Sequence, residues 1–338
     1  MKVLQLLKTS EGATWALRQM CELVKLGVEV HVLLPYGGKL IEKYKKANIF
    51  VHYWNPSLKK FSESKTALRK VVAHVNPDII HSHFVLTTII MRLALRDSKI
   101  KRIFQVPGPL HLENFFFRNL DIILAQKIDY WVGSCLWTNS RYKRSGISAN
   151  RLFLSYYGSD IKYKRVKKTN YLHELLNLDK DVIIIGMVAY MYAPKRYLGQ
   201  TRGLKGHEDF IDAISILEKK YPNIHGVCVG GAWDDTRYET KVKEYAKKKT
   251  SNVHFLGTRN DIPELYSDMF CVVHPSLSEN LGGAAESLAV GVPTIATNIG
   301  GFPDIVIEGE TGLLISPRSP KEIAKAVESL INGDYDIE

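Results

Sequence analysis

The chain contains little cysteine and no long apolar run. Its four cysteines (Cys21, Cys135, Cys228 and Cys271) are scattered over 338 residues, and no Cys-x-x-Cys pair occurs. Neither a disulfide framework nor a cysteine metal site is therefore expected. No apolar stretch approaches the roughly 18 residues that span a bilayer, and the apolar residues 3–7 are too few for a signal-peptide core. We expect a cytoplasmic protein.

Short-period repeats, low-complexity segments and helix-turn-helix, RNP or zinc-finger patterns are also absent, so we expect no nucleic-acid partner. The net charge is +11. Runs of charged residues usually form solvated surface, but such an excess of positive charge can also indicate a binding surface for an anionic partner. In the first half, aromatic and basic residues are interleaved at residues 115–118 and around Tyr142, Tyr156 and Tyr157. Rings and cations together suit a membrane interface. We therefore expect peripheral binding to an anionic membrane surface, on its inner face.

The chain opens with a βαβ pattern. A short apolar strand at residues 3–7 precedes a loop containing Gly12, a periodic helix from about residue 14 to 26, Gly27 as helix C-cap and a strand at residues 29–34. A second opening occurs at residues 181–188, a continuous apolar run typical of a parallel strand that is buried on both faces.

Short apolar strands alternate with helices after both openings, whereas residues 160–180 are basic and irregular. This alternation predicts an α/β protein made of two doubly wound, Rossmann-like domains. We place the N-terminal domain at residues 1–160, a linker at 161–180 and the C-terminal domain at 181–338. In such domains ligands bind at the carboxyl ends of the strands.

The most informative segment covers residues 272–306. It predicts a buried strand, a polar loop, a Gly282–Gly283 turn that opens a short helix, and a second strand. Glycine allows backbone N–H groups to approach phosphate oxygens, and a carboxylate such as Glu279 or Glu286 can accept hydrogen bonds from neighbouring sugar hydroxyls. A strand-turn-helix with solvated glutamates is the simpler alternative.

A second candidate region is the basic loop that follows residue 188. It contains Lys195, Arg196, Arg202 and Lys205, and Lys205-Gly206 stands at the start of a predicted helix. A lysine in that place can hold a diphosphate as a point charge. A solvent-exposed basic loop fits the same residues.

Two groups of residues suggest a metal and are rejected. Asp234-Asp235 lies in a loop after Gly230-Gly231, and His81 and His83 alternate on a strand end without a third ligand nearby. Because the two histidines alternate, we expect that they do not face one core. We expect no metal site.

The segment 272–306 resembles the donor-binding segment of the family 4 glycosyltransferases, which have the GT-B fold. Residues 286–293 fit the second Glu and the following Gly-x-Pro of that family without a gap. Six residues separate Glu279 from Glu286, whereas the family has seven between its two glutamates. Either the loop is one residue shorter and presents Glu279, which we prefer, or Ser278 stands at the first position.

The resemblance implies roles for individual residues. Lys205, Arg202, Glu279 and His111 would be catalytic, with His111 near the transferred sugar. Glu286 would hold the ribose. The other donor-binding residues would be Leu281, Gly282, Gly283, Gly230 and Gly257, and the acceptor side would include Gly12 and Gly108. Tyr190 stands where the family has an arginine. That role has passed to Arg202, which we prefer, or to Arg196, or it is missing.

What the resemblance implies is a retaining glycosyltransferase. It would move a sugar from a nucleotide-sugar, most often a UDP-sugar, to a hydroxyl of a glycan or lipid-linked acceptor. No cofactor is needed, because the nucleotide-sugar is a substrate. The open alternatives are a nucleotide-sugar epimerase or hydrolase on the same fold, and a binding module without turnover.

Overall fold

The computed structural model describes residues 1–106, 108–158, 167–196, 199–233 and 235–335. The chain divides into two compact units, Met1–Gly158 and Ser159–Glu338. Each unit is a parallel sheet with helices packed on it, as the alternating apolar strands predict. Across the described residues, none of the helices has the length and apolar character needed to span a bilayer.

The first unit contains a seven-stranded sheet in the order β3-β2-β1-β4-β5-β6-β7. Its strands are β1 (Lys2–Leu6), β2 (Glu29–Leu34), β3 (Phe50–Tyr53), β4 (Ile79–Ser82), β5 (Lys101–Gln105), β6 (Asp129–Gly133) and β7 (Leu152–Leu154). Its helices are α1 (Thr14–Lys25), α2 (Ile41–Lys46), α3 (Phe61–Val75), α4 (Val85–Ala94), α5 (Leu110–Glu113), α6 (Phe115–Ile123) and α7 (Leu136–Arg144).

The first βαβ pattern is confirmed. β1 pairs in parallel with β2, with Val3 opposite Val30, and α1 ends one residue before the predicted boundary. Gly27 has a φ of 78°, and its N–H donates to the carbonyl of Val24 at 2.9 Å, as a helix C-cap requires. Apolar positions at helical and strand spacing therefore determined this part of the sheet.

The second unit contains a six-stranded sheet in the order β10-β9-β8-β11-β12-β13. Its strands are β8 (Ile183–Val188), β9 (Ile224–Val229), β10 (Val253–Gly257), β11 (Cys271–His274), β12 (Thr294–Thr297) and β13 (Gly312–Ile315). Its helices are α8 (Tyr171–Leu176), α9 (His207–Leu217), α10 (Thr236–Lys249), α11 (Ile262–Ser267), α12 (Ala284–Val290) and α13 (Pro320–Ile331).

The predicted linker includes structure that belongs to the second unit. Residues 161–166 lie outside the described part of the chain, but α8 packs through the buried Leu172 into the second core. The carboxylate of Asp268 accepts hydrogen bonds from the backbone N–H groups of Thr169 (2.7 Å), Asn170 (3.0 Å) and Leu172 (2.9 Å). One buried acid thus fixes the start of this unit, a contact that its irregular, basic sequence did not reveal.

The two histidines on the fourth strand lie together, contrary to the prediction. β4 ends at Ser82, but the N–H of His83 still donates to the carbonyl of Leu6 at 3.3 Å, and both rings are buried with centroids 4.1 Å apart. The Nε2 atom of His83 lies 2.7 Å from the side-chain oxygen of Gln5. The prediction was wrong because residues two positions apart along an extended chain lie on the same face, so alternation itself places His81 and His83 together. Packing is the use that the structure supports for both residues.

Burial also controls the charge of several histidines. Loss of hydration lowers the pKa of His81 to about 3, of His274 to about 3 and of His207 to about 4, and it lowers the pKa of His83 well below its ordinary value. Each ring is therefore neutral in the folded protein near neutral pH. In the unfolded chain each would titrate at about 6.5.

We predict that the free energy of unfolding decreases as the pH falls below about 6.5 towards 4. In that range the histidines bind protons in the unfolded state but stay neutral in the folded state. Each such histidine adds a slope of up to about 1.4 kcal/mol per pH unit in that window and nothing above it. Calorimetric unfolding at several pH values measures the slope. His274→Gln should make it shallower by one proton, and an unchanged slope in this variant would contradict the assignment.

Candidate functional site

The carboxyl edge of the second sheet holds a cavity of about 320 Å³. The ends of β8, β9 and β11, the loop after β10 and the first turn of α12 surround it, as expected for a doubly wound sheet. Its charged or polar lining includes Lys205, Arg259, His274, Glu279 and Glu286. Of the residues predicted for donor binding or catalysis, Lys205, Glu279, Glu286, Gly230 and Gly283 line this cavity.

Lys205 and Glu279 meet there. The ammonium of Lys205 donates to a carboxylate oxygen of Glu279, and the two side chains are only 16% and 14% exposed. The next residue, Gly206, has a φ of 76°, and a Cβ there would lie 2.1 Å from the carbonyl oxygen of Pro275. Only glycine allows this close approach, which places Lys205 beside the loop that carries Glu279.

The geometry favours Glu279 over Ser278 as the first carboxylate position. Ser278 is buried, whereas the side chain of Glu279 lines the cavity. The shortened loop therefore still presents a carboxylate to the site.

Glu286 enters the cavity from the first turn of α12. The preceding Gly283 is packed so closely that a Cβ would lie 2.9 Å from the ring of His274 and 3.1 Å from the carbonyl oxygen of Val188. The Nε2 atom of His274 lies 3.2 Å from the hydroxyl of Ser287. This packing holds the start of α12 against the end of β8. Because α12 has only seven residues, Lys205 rather than the helix dipole is the main positive charge for an anion.

The remaining predicted donor residues surround the cavity less directly. The N–H of Gly230 donates to the carbonyl of Gly257 at 2.7 Å, which fixes the end of β9 beside the end of β10. Gly282 is exposed, and Leu281 is buried. These residues shape the walls.

Arg202 does not point into this cavity. Its guanidinium makes ion pairs with Asp209 and, at 3.0 Å, with Asp212, both on α9. Two acids three residues apart on α9, seven and ten residues after Arg202, bind this arginine, and a sequence motif cannot show that competition. We therefore remove Arg202 from the proposed diphosphate site.

His111 is likewise engaged elsewhere. It lies on α5 in the interior of the first unit, with its Nε2 atom 3.2 Å from the hydroxyl of Tyr142 and 3.7 Å from a carboxylate oxygen of Asp121. Arg92 also pairs with Asp121, so the histidine is part of a buried ionic network. The predicted role at the transferred sugar has no support in this arrangement. Gly12 and Gly108 lie in loops of the same unit, after β1 and β5.

A residue that the sequence reasoning missed is Arg259, which lines the cavity from the loop after β10. Its guanidinium binds the carboxylate of Asp261 at 2.5 Å and the hydroxyl of Tyr171 at 2.9 Å. The hydrogen bond from Arg259 lowers the pKa of Asp261. Its position directly after a Gly-Thr strand end was the available signal.

A wider cavity of about 1080 Å³ lies elsewhere in the second unit, on the outer side of the loop after β8. Its charged lining comprises Lys195, Arg196, Glu208, Asp235, Arg237 and Lys241. It shares no residue with the first cavity and contains none of the predicted carboxylates. Asp234 lies outside the described residues. Among the residues that are described, no group of three acidic, histidine or cysteine side chains could hold a metal ion.

Two family models together cover most of the chain. The model for family 4 glycosyltransferases matches residues 12–158, and the model for group 1 glycosyl transferases matches residues 196–336. Among curated proteins, the chain is 25% identical to the capsular polysaccharide biosynthesis glycosyltransferase CapM of Staphylococcus aureus, over 98% of this chain and 88% of that protein. It is 33% identical to a Corynebacterium glutamicum D-inositol 3-phosphate glycosyltransferase, over 41% of this chain and 35% of that protein.

Among solved structures, the fold is similar to that of Anabaena HepE in complex with UDP, with a TM-score of 0.80 and 20% identity over 99% of this chain and 91% of that one. At this identity the likeness shows the fold. Together with the two family models, it identifies both units. The chain belongs to the family 4 glycosyltransferases and has the GT-B fold.

Proposed function

We propose that this glycosyltransferase moves a sugar from a UDP-sugar to a hydroxyl of a glycan or lipid-linked acceptor, with retention at the anomeric carbon. The observation that carries the proposal is one cavity that contains Lys205, Glu279 and Glu286 at the carboxyl edge of the second sheet. The role of the Staphylococcus relative in capsular polysaccharide biosynthesis and the UDP in the Anabaena structure support polysaccharide synthesis and a uridine donor.

Each of the three residues has a distinct task in this reaction. The ammonium of Lys205 stabilises the charge that develops on the departing diphosphate, and it does so from a largely buried position where screening is weak. The carboxylate of Glu286 accepts hydrogen bonds from the ribose hydroxyls. Glu279, which pairs with Lys205 in the structure, holds the hydroxyls of the sugar ring once the diphosphate binds the lysine.

The rival functions use the same cavity. An epimerase or hydrolase would convert the donor without an acceptor, and a binding module would not convert it at all. Incubation with UDP- and GDP-sugars, with and without acceptors, separates them, because a transferase converts the donor productively only when an acceptor is present. The paired Lys205 and Glu279 favour an enzyme over a simple binder, since their charges meet where the diphosphate would leave.

We predict that Glu286→Ala weakens donor use about ten- to hundredfold, because a hydrogen bond to a charged group contributes about 1.5–3 kcal/mol. The change should appear in kcat/KM for the donor while thermal stability is retained. Glu310→Ala, at an exposed position of the same unit, is the control. Wild-type kinetics in the Glu286 variant would remove the ribose assignment.

Lys205→Met should slow the chemical step by about 10²-fold or more, because the departing diphosphate loses its nearest cation. Single-turnover kinetics at saturating donor isolate that step, and Lys248→Met, on the exposed end of α10, is the control. If Lys205→Met reacts at the normal rate, the diphosphate binds elsewhere, and the second cavity with Lys195 and Arg196 becomes the candidate.

Activity should persist in EDTA, because the proposed site neutralises phosphate with Lys205 and backbone N–H groups rather than with a metal ion. Initial rates with and without the chelator test this directly. Loss of activity that Mn²⁺ or Mg²⁺ restores would establish a metal requirement.

Peripheral binding to an anionic membrane is supported by α6. Phe115 is 71% and Phe116 66% exposed, and Arg118, Arg141 and Arg144 line a small cavity beside them. Exposed rings next to arginines suit an anionic lipid interface. Tyr142, which the sequence placed in this surface, is buried and is removed from it.

The protein should float with anionic but not with neutral vesicles, and less so as salt rises, since each cation near such a surface contributes about 1 kcal/mol. Phe115→Ser with Phe116→Ser should reduce flotation, whereas Phe50→Ser, on the edge strand β3, should not. Equal flotation on both vesicle types would contradict an electrostatic membrane surface.

A further inference from the structure

Three aromatic side chains form a cluster at the donor cavity, which we call the aromatic wall: Tyr190, Tyr192 and Trp233. The Trp233 ring lies 5.2 Å from that of Tyr190, edge to face, and 5.5 Å from that of Tyr192, stacked. Tyr190 and Tyr192 line the cavity. Tyr190 is 40% exposed, and Trp233, which contacts both cavity-lining tyrosines, is 50% exposed.

The backbone holds this wall rigidly. The segments that follow β8 and β9 remain paired with each other. The N–H of Met191 donates to the carbonyl of Gly231 at 2.9 Å, and the N–H of Trp233 donates to the carbonyl of Met191 at 3.1 Å. Met191 is buried, and alternation places Tyr190 and Tyr192 on the opposite side, towards the cavity. The wall is thus an extension of the sheet.

The wall also adjoins the proposed diphosphate residue. The ammonium of Lys205 lies 5.7 Å from the centroid of the Tyr192 ring, and the N–H of Leu204 donates to the carbonyl of Tyr192 at 3.4 Å. In a nucleotide-sugar the diphosphate separates the ribose from the sugar. With the ribose at Glu286, the group on the other side of the diphosphate is the one that can reach the wall.

We infer that the aromatic wall binds the transferred sugar of the nucleotide-sugar donor, with the apolar C–H face of the pyranose ring against the faces of Tyr190 and Trp233. Ring faces carry negative charge and C–H groups are weakly positive, so the contact is attractive and removes apolar surface of both partners from water. The inference rests on the proposed function.

Calorimetric titration of the full chain with UDP and with UDP-glucose tests this inference. In Tyr190→Ala and in Trp233→Ala the affinity for UDP should stay the same, whereas that for UDP-glucose should fall about 2- to 12-fold, the range expected for loss of one aromatic contact. Tyr190→Phe should behave like wild type, because it keeps the ring. Phe270→Ala, at the amino end of β11 and 37% exposed, is the matched control.

Three results would overturn the inference. An equal loss for UDP and UDP-glucose would place the uracil or ribose on the wall, and unchanged affinity for both would leave the wall outside the donor site. A loss in Tyr190→Phe equal to that in Tyr190→Ala would assign the contact to the hydroxyl. If wild-type protein binds neither UDP-glucose, UDP-N-acetylglucosamine nor GDP-mannose, the proposed function itself fails, and the inference with it.

Discussion

The ion pair between Lys205 and Glu279 is the interaction on which the candidate site depends. It joins the segment that precedes α9 to the loop that follows β11, and both side chains are largely withdrawn from water. Two opposite charges in such a place stabilise each other, and either one left alone would be costly. In the proposed function, a bound diphosphate would satisfy Lys205 and release Glu279 for hydroxyl groups. The same pair therefore keeps the site compact and makes the two charges available together.

The rest of the cavity follows from parallel strand order. β8 lies between β9 and β11, so the loops after these three strands reach one edge of the sheet. Close backbone approach then sets the finer positions, as with Gly206 beside Pro275 and Gly283 beside Val188. A side chain at either glycine would move Lys205 or Glu286 away from the cavity. Charged side chains give the cavity its chemical character, whereas the two glycines, which have no side chain, allow the close backbone contacts that set its dimensions.

Much of this could be predicted from the sequence, and the successes share a cause. Continuous apolar runs such as residues 181–188 specify buried parallel strands, and a carboxylate that follows a strand end at a glycine turn, such as Glu286, can only lie at the sheet edge. Those features depend on local pattern. Arg202 and His111 were assigned by type and approximate position, and both are held by acids on other segments, namely Asp209 with Asp212, and Asp121. Competition between nearby partners is decided by packing, which no motif records.

Tyr190, which the resemblance sets at an arginine position of the family, affects the charge balance of the site. An arginine at Tyr190 would place a second cation beside Lys205, where mutual repulsion would favour a doubly charged diphosphate and weaken the hold on Glu279. Tyrosine adds no cation to Lys205 and Arg259, both of which are already paired, and it adds a ring that packs on Trp233. If the wall binds the donor as inferred, the free energy of donor binding would depend less on charge and more on contact with the uncharged part of the donor. Because nucleotide-sugars share their diphosphate but differ in the transferred sugar, the inferred sugar contact would move the binding preference of the site towards the particular sugar that the wall fits.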